Sequence, residues 1–289
     1  MMEVKSISKK YGNKTILDKV SFAIESGEIV GLVGKNGAGK STLMKIMAHL
    51  DPDFKGEIDE KSRIGYFIEN PKLYEKKTGL WHLRFFSSIY GRRFDLEDYK
   101  DFLDDIGLSE VLNKKVRSYS LGMKEKLGVM ISMLNQPDFV ILDEPTNGMD
   151  IDSSLNLLKN IRKYADEKGV GFLLSSHKLE DIEEICDRVL FLDESHLEEE
   201  MDSSWDDIFN VTLILKDAES VDRFVEKQGL GSVTGVSGKS IKLETVCGFT
   251  EIMNELKKMD IDIVDYKSEK RSLRNIYMEK ISERREKTV

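Results

Sequence analysis

Residues 29–47 read "IVGLVGKNGAGKSTLMKIM". The compact apolar run Ile29 to Val33 is a candidate for a buried strand, and a helix is expected from Lys40 to about His49, ended by "DPDFKG". Between them, Gly34 to Ser41 matches GxxxxGK[ST], with Thr42 following. A polyphosphate needs many donors at close range. Along Gly34, Asn36, Gly37, Ala38 and Gly39 the glycines let backbone N–H groups turn inward with no Cβ in the way, and the helix N-terminus adds its positive dipole end. Lys40 would reach the β- and γ-phosphates, and Ser41 would set its hydroxyl on Mg²⁺.

Upstream, "EVKSIS", "YGNKT" and "VSFAIE" read as short strands and turns, with alternation at Val20, Phe22 and Ile24. Downstream, "RIGYFIE" is another strand, whereas residues 72–135 are rich in helix formers, with turn signals at Gly91, Gly107 and Asn113. "FVILDE" is short and apolar throughout, as a central parallel strand buried on both faces should be. A helix at about Ser153–Lys168, a strand "VGFLLSS", a helix holding "LEDIEEICD" and a strand "RVLFLD" complete an alternating order that predicts a parallel α/β sheet. The acidic stretch 194–207 reads as a linker. Beyond it, strand 209–216, helix 218–228, strands 231–236 and 239–244, helix 248–258, strand 261–267 and helix 272–284 predict a split βαβ, ferredoxin-like α+β unit. The expected domains are 1–204 and 205–289.

Asp143 ends the apolar strand, where a carboxylate could join the Mg²⁺ shell, and Glu144 beside it could orient and polarise an attacking water. With 53 acidic against 44 basic residues and a formal charge of −9, nucleic-acid binding is disfavoured, because that affinity comes mainly from Lys and Arg neutralising phosphates. The two cysteines, Cys186 and Cys247, lie far apart and suggest reduced core thiols rather than a disulfide framework or zinc site. The N-terminal residues lack the apolar block of a secretory signal, and no window approaches a membrane span.

"YSLGMKEKLGVM", residues 119–130, reads as a helix start. Ser120 could cap it, Lys124 and Lys126 would face water, and Leu127, Met130 and Ile131 would make an apolar stripe.

Residues 1 to about 200 resemble the nucleotide-binding subunit of an ATP-binding-cassette (ABC) transporter, on the ordered motifs "GKNGAGKST", "SLGMK", "FVILDEP", "PTNGMD" and "LLSSH". The resemblance implies a P-loop NTPase of ABC type, with a RecA-like core, an antiparallel β subdomain and a helical subdomain at about 72–135. It implies ATP as ligand, Tyr11 stacking on adenine, Asp150 in the loop after the catalytic Glu144, and His177 contacting the γ-phosphate. Ser120 and Gly122 would contact the γ-phosphate of ATP held by a second subunit, in a head-to-tail homodimer or heterodimer. Here Leu121 and Met123–Lys124 depart from the usual signature residues, and Glu69 stands where most relatives carry a Gln near Mg²⁺ and water. With "IENPKLY" and the C-terminal extension, these resemble the bacterial subgroup tied to bacitracin resistance, lantibiotic immunity and amphipathic-peptide export.

Such a subunit would work at the cytoplasmic face of the membrane, bound to an integral membrane permease whose coupling helix docks near Tyr74, Trp81 and Phe85. The alternative is a soluble ABC-type ATPase acting on the ribosome or DNA. Relatives of that kind usually have two cassettes or a long coiled coil, whereas this chain has one cassette and no heptad run. The C-terminal unit has no cluster of titratable residues that suggests chemistry, so accessory, regulatory and dimerisation roles all stay open.

Overall fold

The computed structural model describes residues 1–59, 61–69, 72–202, 208–226 and 229–278. The chain divides into two compact units, Met1–Asp202 and Ser203–Val289. The first begins with β1 (Met2–Tyr11), β2 (Lys14–Ile24), β3 (Ile29–Val33), α1 (Lys40–Met47), β4 (Lys55–Ile58) and β5 (Ile64–Phe67). A helical stretch follows: α2 (Gly79–Ile89), α3 (Lys100–Asp105) and α4 (Leu121–Met133), joined by short 3-10 turns. It closes with β6 (Phe139–Asp143), α5 (Ile151–Lys168), β7 (Gly171–Ser175), α6 (Leu179–Ile185), β8 (Arg188–Asp193) and β9 (His196–Asp202).

Two sheets organise this unit. One is antiparallel, in the order β2-β1-β4; the other runs β5-β6-β7-β3-β8-β9 and is parallel except where β9 pairs antiparallel with β8. Every residue of β3 and β7 is buried, which is why both read as unbroken apolar runs. α1 turns Leu43, Met44, Ile46 and Met47 into a core shared by both sheets, against Val4, Leu17, Val30, Ile141 and Leu190. Truncating one of these, as in Leu43→Ala, is expected to cost about 2–5 kcal/mol.

Parallel strands deliver their carboxyl ends to one side of the sheet, and ligand sites gather there. β3, β6 and β7 therefore bring Gly34, Asp143–Glu144 and Ser175–His177 to one edge, with Asp143 directly beside Ser175 in register.

In the helical stretch, Gly91 and Gly107 follow α2 and α3 with φ of 69° and 72°, matching the two glycine turn signals. The acidic stretch from residue 194 is not wholly a linker: residues 196–202 form β9. A strand needs a backbone partner, which β8 supplies, and one apolar anchor, Leu197, which packs on the core. The expected boundary at 204 and 205 lies outside the described residues.

The second unit contains β10 (Phe209–Leu215), α7 (Ala218–Glu226), β11 (Ser232–Ser237), β12 (Ser240–Thr245), α8 (Phe249–Lys258) and β13 (Ile263–Lys270). Its antiparallel sheet has the order β11-β12-β10-β13. Val211, Leu213, Ile241 and Leu243 face Val221, Phe224, Ile252 and Leu256 in a separate core. Residues 273–278 are helical, and the rest of the helix expected over 272–284 lies outside the described residues.

Candidate nucleotide site

The glycine-rich turn leaves β3 and wraps the start of α1. Gly34 has no room for a side chain, because a Cβ there would lie 2.2 Å from the Leu192 carbonyl oxygen. Gly39 caps α1 in the left-handed region at φ 110°, with the Ile16 carbonyl 2.9 Å from where a Cβ would sit. The turn borders a cavity of ≈ 670 Å³ lined by Asn36, Gly37, Gly39, Lys40, Ser41, Thr42, Glu69, Asp143 and Glu144, among others.

Lys40 Nζ donates to the Gly34 carbonyl at 2.7 Å and to the Lys35 carbonyl at 3.2 Å. Burial pushes its ammonium below the usual lysine range, against the pull of Asp143 and Glu144. Ser41 Oγ donates to Asp143 Oδ2 at 2.7 Å, and Ser175 Oγ donates to Asp143 Oδ1 at 2.5 Å. Hydroxyl and carboxylate oxygens are the hard donors Mg²⁺ takes, and it characteristically uses one or two carboxylates plus substrate phosphates. Among the described residues no group of three or more His, Cys, Asp or Glu forms an all-protein cage. Ser41 and Asp143 thus suit an ion bound together with a nucleotide.

Glu144 follows β6 at φ 52°, a conformation unusual for a residue with a side chain. Its N–H is tied to the Ser175 carbonyl and hydroxyl, both at 3.1 Å, and its Oε2 lies 3.2 Å from His177 Nδ1. The strand edge therefore joins Glu144 to His177, a pair 33 residues apart in the chain.

Glu69 lies past the end of β5, in a turn at φ 63°, rather than within the strand. Its carboxylate pairs with Lys45 Nζ on α1, and that contact holds it below the usual carboxylate range. The negative charge in this position is thus locally compensated, by a lysine that sequence reading did not single out.

Four further residues stand outside the cavity lining. Tyr11 is 52% exposed; its hydroxyl donates to Asp51 Oδ2 at 2.8 Å, and Lys9 Nζ lies 4.9 Å from its ring centroid. Asp150 caps α5, accepting from the Ser153 N–H at 2.8 Å, so that helix starts at Ile151 and not Ser153. Ser120 caps α4 through Met123 N–H at 3.2 Å, and Gly122 lies against Met149. Neither Ser120 nor Gly122 reaches the chain's own cavity.

On α4, Leu127 and Met130 are fully buried as expected, but Ile131 is only half-buried, Lys124 and Lys126 are both partly covered, and burial lowers the pKa of Lys126. Sequence reading also missed Glu125, buried on the same helix and lining the cavity. Tyr74, Trp81 and Phe85 form one aromatic cluster, with Trp81 and Phe85 stacked at 4.6 Å, and Tyr74 stays exposed. Both cysteines are free thiols; burial raises the pKa of Cys186.

Known proteins share this arrangement. The profile of the family described as "ABC transporter" matches residues 17–147. The lantibiotic transport ATP-binding protein SrtF of Streptococcus pyogenes is 34% identical over 229 residues, covering 75% of this chain and 99% of that protein. The bacitracin transport ATP-binding protein BcrA of Enterococcus faecalis is 33% identical over 216 residues, 71% of this chain and 70% of that protein. Among solved structures, one described as the ATP-binding subunit of an ABC transporter superposes with a TM-score of 0.63 at 30% identity, covering 71% of this chain and 90% of that one. A phosphate loop, an Asp–Glu strand end and a paired histidine on one sheet edge, in a chain with these relatives, make this protein a member of the ABC transporter family, an ATP-binding subunit and ATPase.

Proposed function

We propose that this chain powers a separate membrane permease that exports peptides or antimicrobial compounds, working as a head-to-tail dimer closed by ATP. The observation that carries the dimer is the separation of two anion-binding ends. Lys40, Ser41, Asp143 and Glu144 line one cavity, while neither Ser120 nor Gly122 is among its lining residues. A hydroxyl and a small-residue turn at a helix N-terminus suit a phosphate, and a second copy would bring one. The transport of lantibiotics and bacitracin by the relatives SrtF and BcrA supports a cargo of that class. Among the described residues no helix is long and apolar enough to cross a membrane, which fits a peripheral subunit on the cytoplasmic face and a partner that spans the bilayer.

In this reading Tyr11 offers its exposed ring face to adenine, and the N–H groups of Asn36 to Thr42 hold the phosphates with Lys40. Ser41 and Asp143 would hold Mg²⁺, with Glu69 joining through a water; the ion neutralises charge on the β- and γ-oxygens when bound. Glu144 orients and polarises the attacking water. His177 keeps Glu144 oriented and faces the γ-phosphate, and Asp150 holds the start of α5 beside the same loop. Hydrolysis removes the γ-phosphate that Ser120 and His177 grip, so the closed state loses its advantage and the dimer opens.

The Glu144→Gln protein with Mg-ATP tests this. Gel filtration with light scattering is expected to give twice the monomer mass, reverting when ATP is removed. A species that stays monomeric at saturating Mg-ATP contradicts the proposal.

A further inference from the structure

Glu125 lies five residues after Ser120, on the buried stripe of α4 with Val129 and Met133. It is only 2% exposed, yet it lines the nucleotide cavity. Four carboxylates line that cavity, and three are engaged: Glu69 with Lys45, Asp143 with Ser41 and Ser175, Glu144 with His177. Glu125 Oε1 has no hydrogen-bond partner among the described residues. Burial raises its carboxyl to about 7, with desolvation the cause.

An unpaired buried carboxyl costs stability that a leucine of similar volume would not, so the fold itself gains nothing from it. A group of this kind on a cavity wall points to a partner that arrives with the ligand. The cavity supplies a mixed field for it: Lys14 from β2, Lys40 from α1, Glu69 after β5, and Asp143 and Glu144 at the end of β6. The first turn of α4 also rests on the loop after Glu144. A Cβ on Gly148 would come within 2.3 Å of the Leu121 side chain, and one on Gly122 within 3.2 Å of Met149. Glu125 follows Leu121 by one turn on the same helix, which makes α4 the physical link between the cavity wall and Ser120–Gly122.

We propose that Glu125 is a positioning residue of the nucleotide site: its carboxyl takes the missing hydrogen bond from the hydrated terminal-phosphate end of the bound nucleotide, and through α4 it ties Ser120 and Gly122 to occupancy of the chain's own cavity. This rests on the reading of Ser120 and Gly122 as a clamp on a second copy's nucleotide. One helix thus belongs to two sites, sensing phosphate in its own cavity and gripping phosphate in the partner's.

The full-length Glu125→Leu and Glu125→Gln proteins test it by thermal melting, ATPase kinetics and, in a Glu144→Gln background, the ATP concentration needed to dimerise. Glu125→Leu is expected to melt no lower than wild type and keep KM within about threefold, but to lose kcat by about tenfold or more. Glu125→Gln, which keeps a hydrogen-bonding head, is expected to recover kcat to within about threefold of wild type. The Glu125→Leu/Glu144→Gln protein is expected to need about tenfold more ATP to dimerise than Glu144→Gln alone. A kcat for Glu125→Leu within about twofold of wild type overturns the proposal, as does a Glu125→Gln protein equally impaired at equal stability. If Glu125→Leu does not fold, Glu125→Ala is held to the same kcat limits. Failure of Glu144→Gln itself to dimerise would count against the underlying dimer and not against Glu125, whose kcat comparison still decides.

Discussion

Two helix N-termini of the cassette start alike and end differently. α1 begins after a left-handed glycine and opens onto a cavity with a lysine, a serine hydroxyl and the carboxylates of β6. α4 begins at a capping serine, with Leu121 exposed and Ser120 to Gly122 outside the lining of that cavity. Both ends carry the partial positive charge of unpaired N–H groups. Only the first is surrounded by what a polyphosphate and its counter-ion require. The lesson is that a helix terminus becomes a site through its neighbours, and the proposed dimer would supply those of α4 from a second chain.

The largest effect on this contrast is expected at Lys40. Lys40→Ala removes the one lysine of the phosphate turn that reaches into the cavity, and equilibrium binding of a fluorescent ATP analogue should weaken about a hundredfold or more. Ser120→Arg should leave that binding within about twofold in the isolated monomer but cut steady-state hydrolysis about a hundredfold. If Ser120→Arg weakened monomer binding as Lys40→Ala does, the two helix ends would serve a single cavity and the contrast would collapse.

Smaller effects sharpen it. Glu69→Gln removes a carboxylate proposed to join the Mg²⁺ shell and leaves the Lys45 ammonium unpaired beside it, so the Mg²⁺ concentration for half-maximal hydrolysis should rise about two- to fivefold. An unchanged Mg²⁺ titration would contradict a place for Glu69 in the metal shell. Smallest is Asp150→Ala, which removes the cap of α5 and should cost about 1 kcal/mol in chemical denaturation. A loss of hydrolysis larger than that destabilisation accounts for would show Asp150 acting at the nucleotide as well.

The sheet was legible because its central strands, buried on both faces, are short apolar runs, and "GKNGAGKST" stands between one such run and a helix. The helical stretch was legible from its composition, and its breaks from Gly91 and Gly107. β9 was hidden because six of its residues, Glu198 to Asp202 with His196, are acidic, histidine or methionine, and its strand character comes from pairing with β8. Lys45 with Glu69, and Glu144 with His177, are pairs made by tertiary structure across 24 and 33 residues, which no local pattern encodes. Glu125 carried one weak sign, a carboxylate on the apolar stripe of α4, masked by the lysines at 124 and 126. The capping role of Asp150 was written in its spacing to Ser153 and lost behind the motif that contains it.

The central claim is that ATP is held between the cavity of one copy and Ser120–Gly122 of another. Mixing two inactive proteins, Lys40→Ala and Ser120→Arg, tests it most directly. In a head-to-tail pair both lesions fall in one site and leave the other whole, so the equimolar mixture should recover about a quarter of wild-type hydrolysis, from half the dimers with one site in two intact. A mixture as inactive as its separate components would contradict the claim.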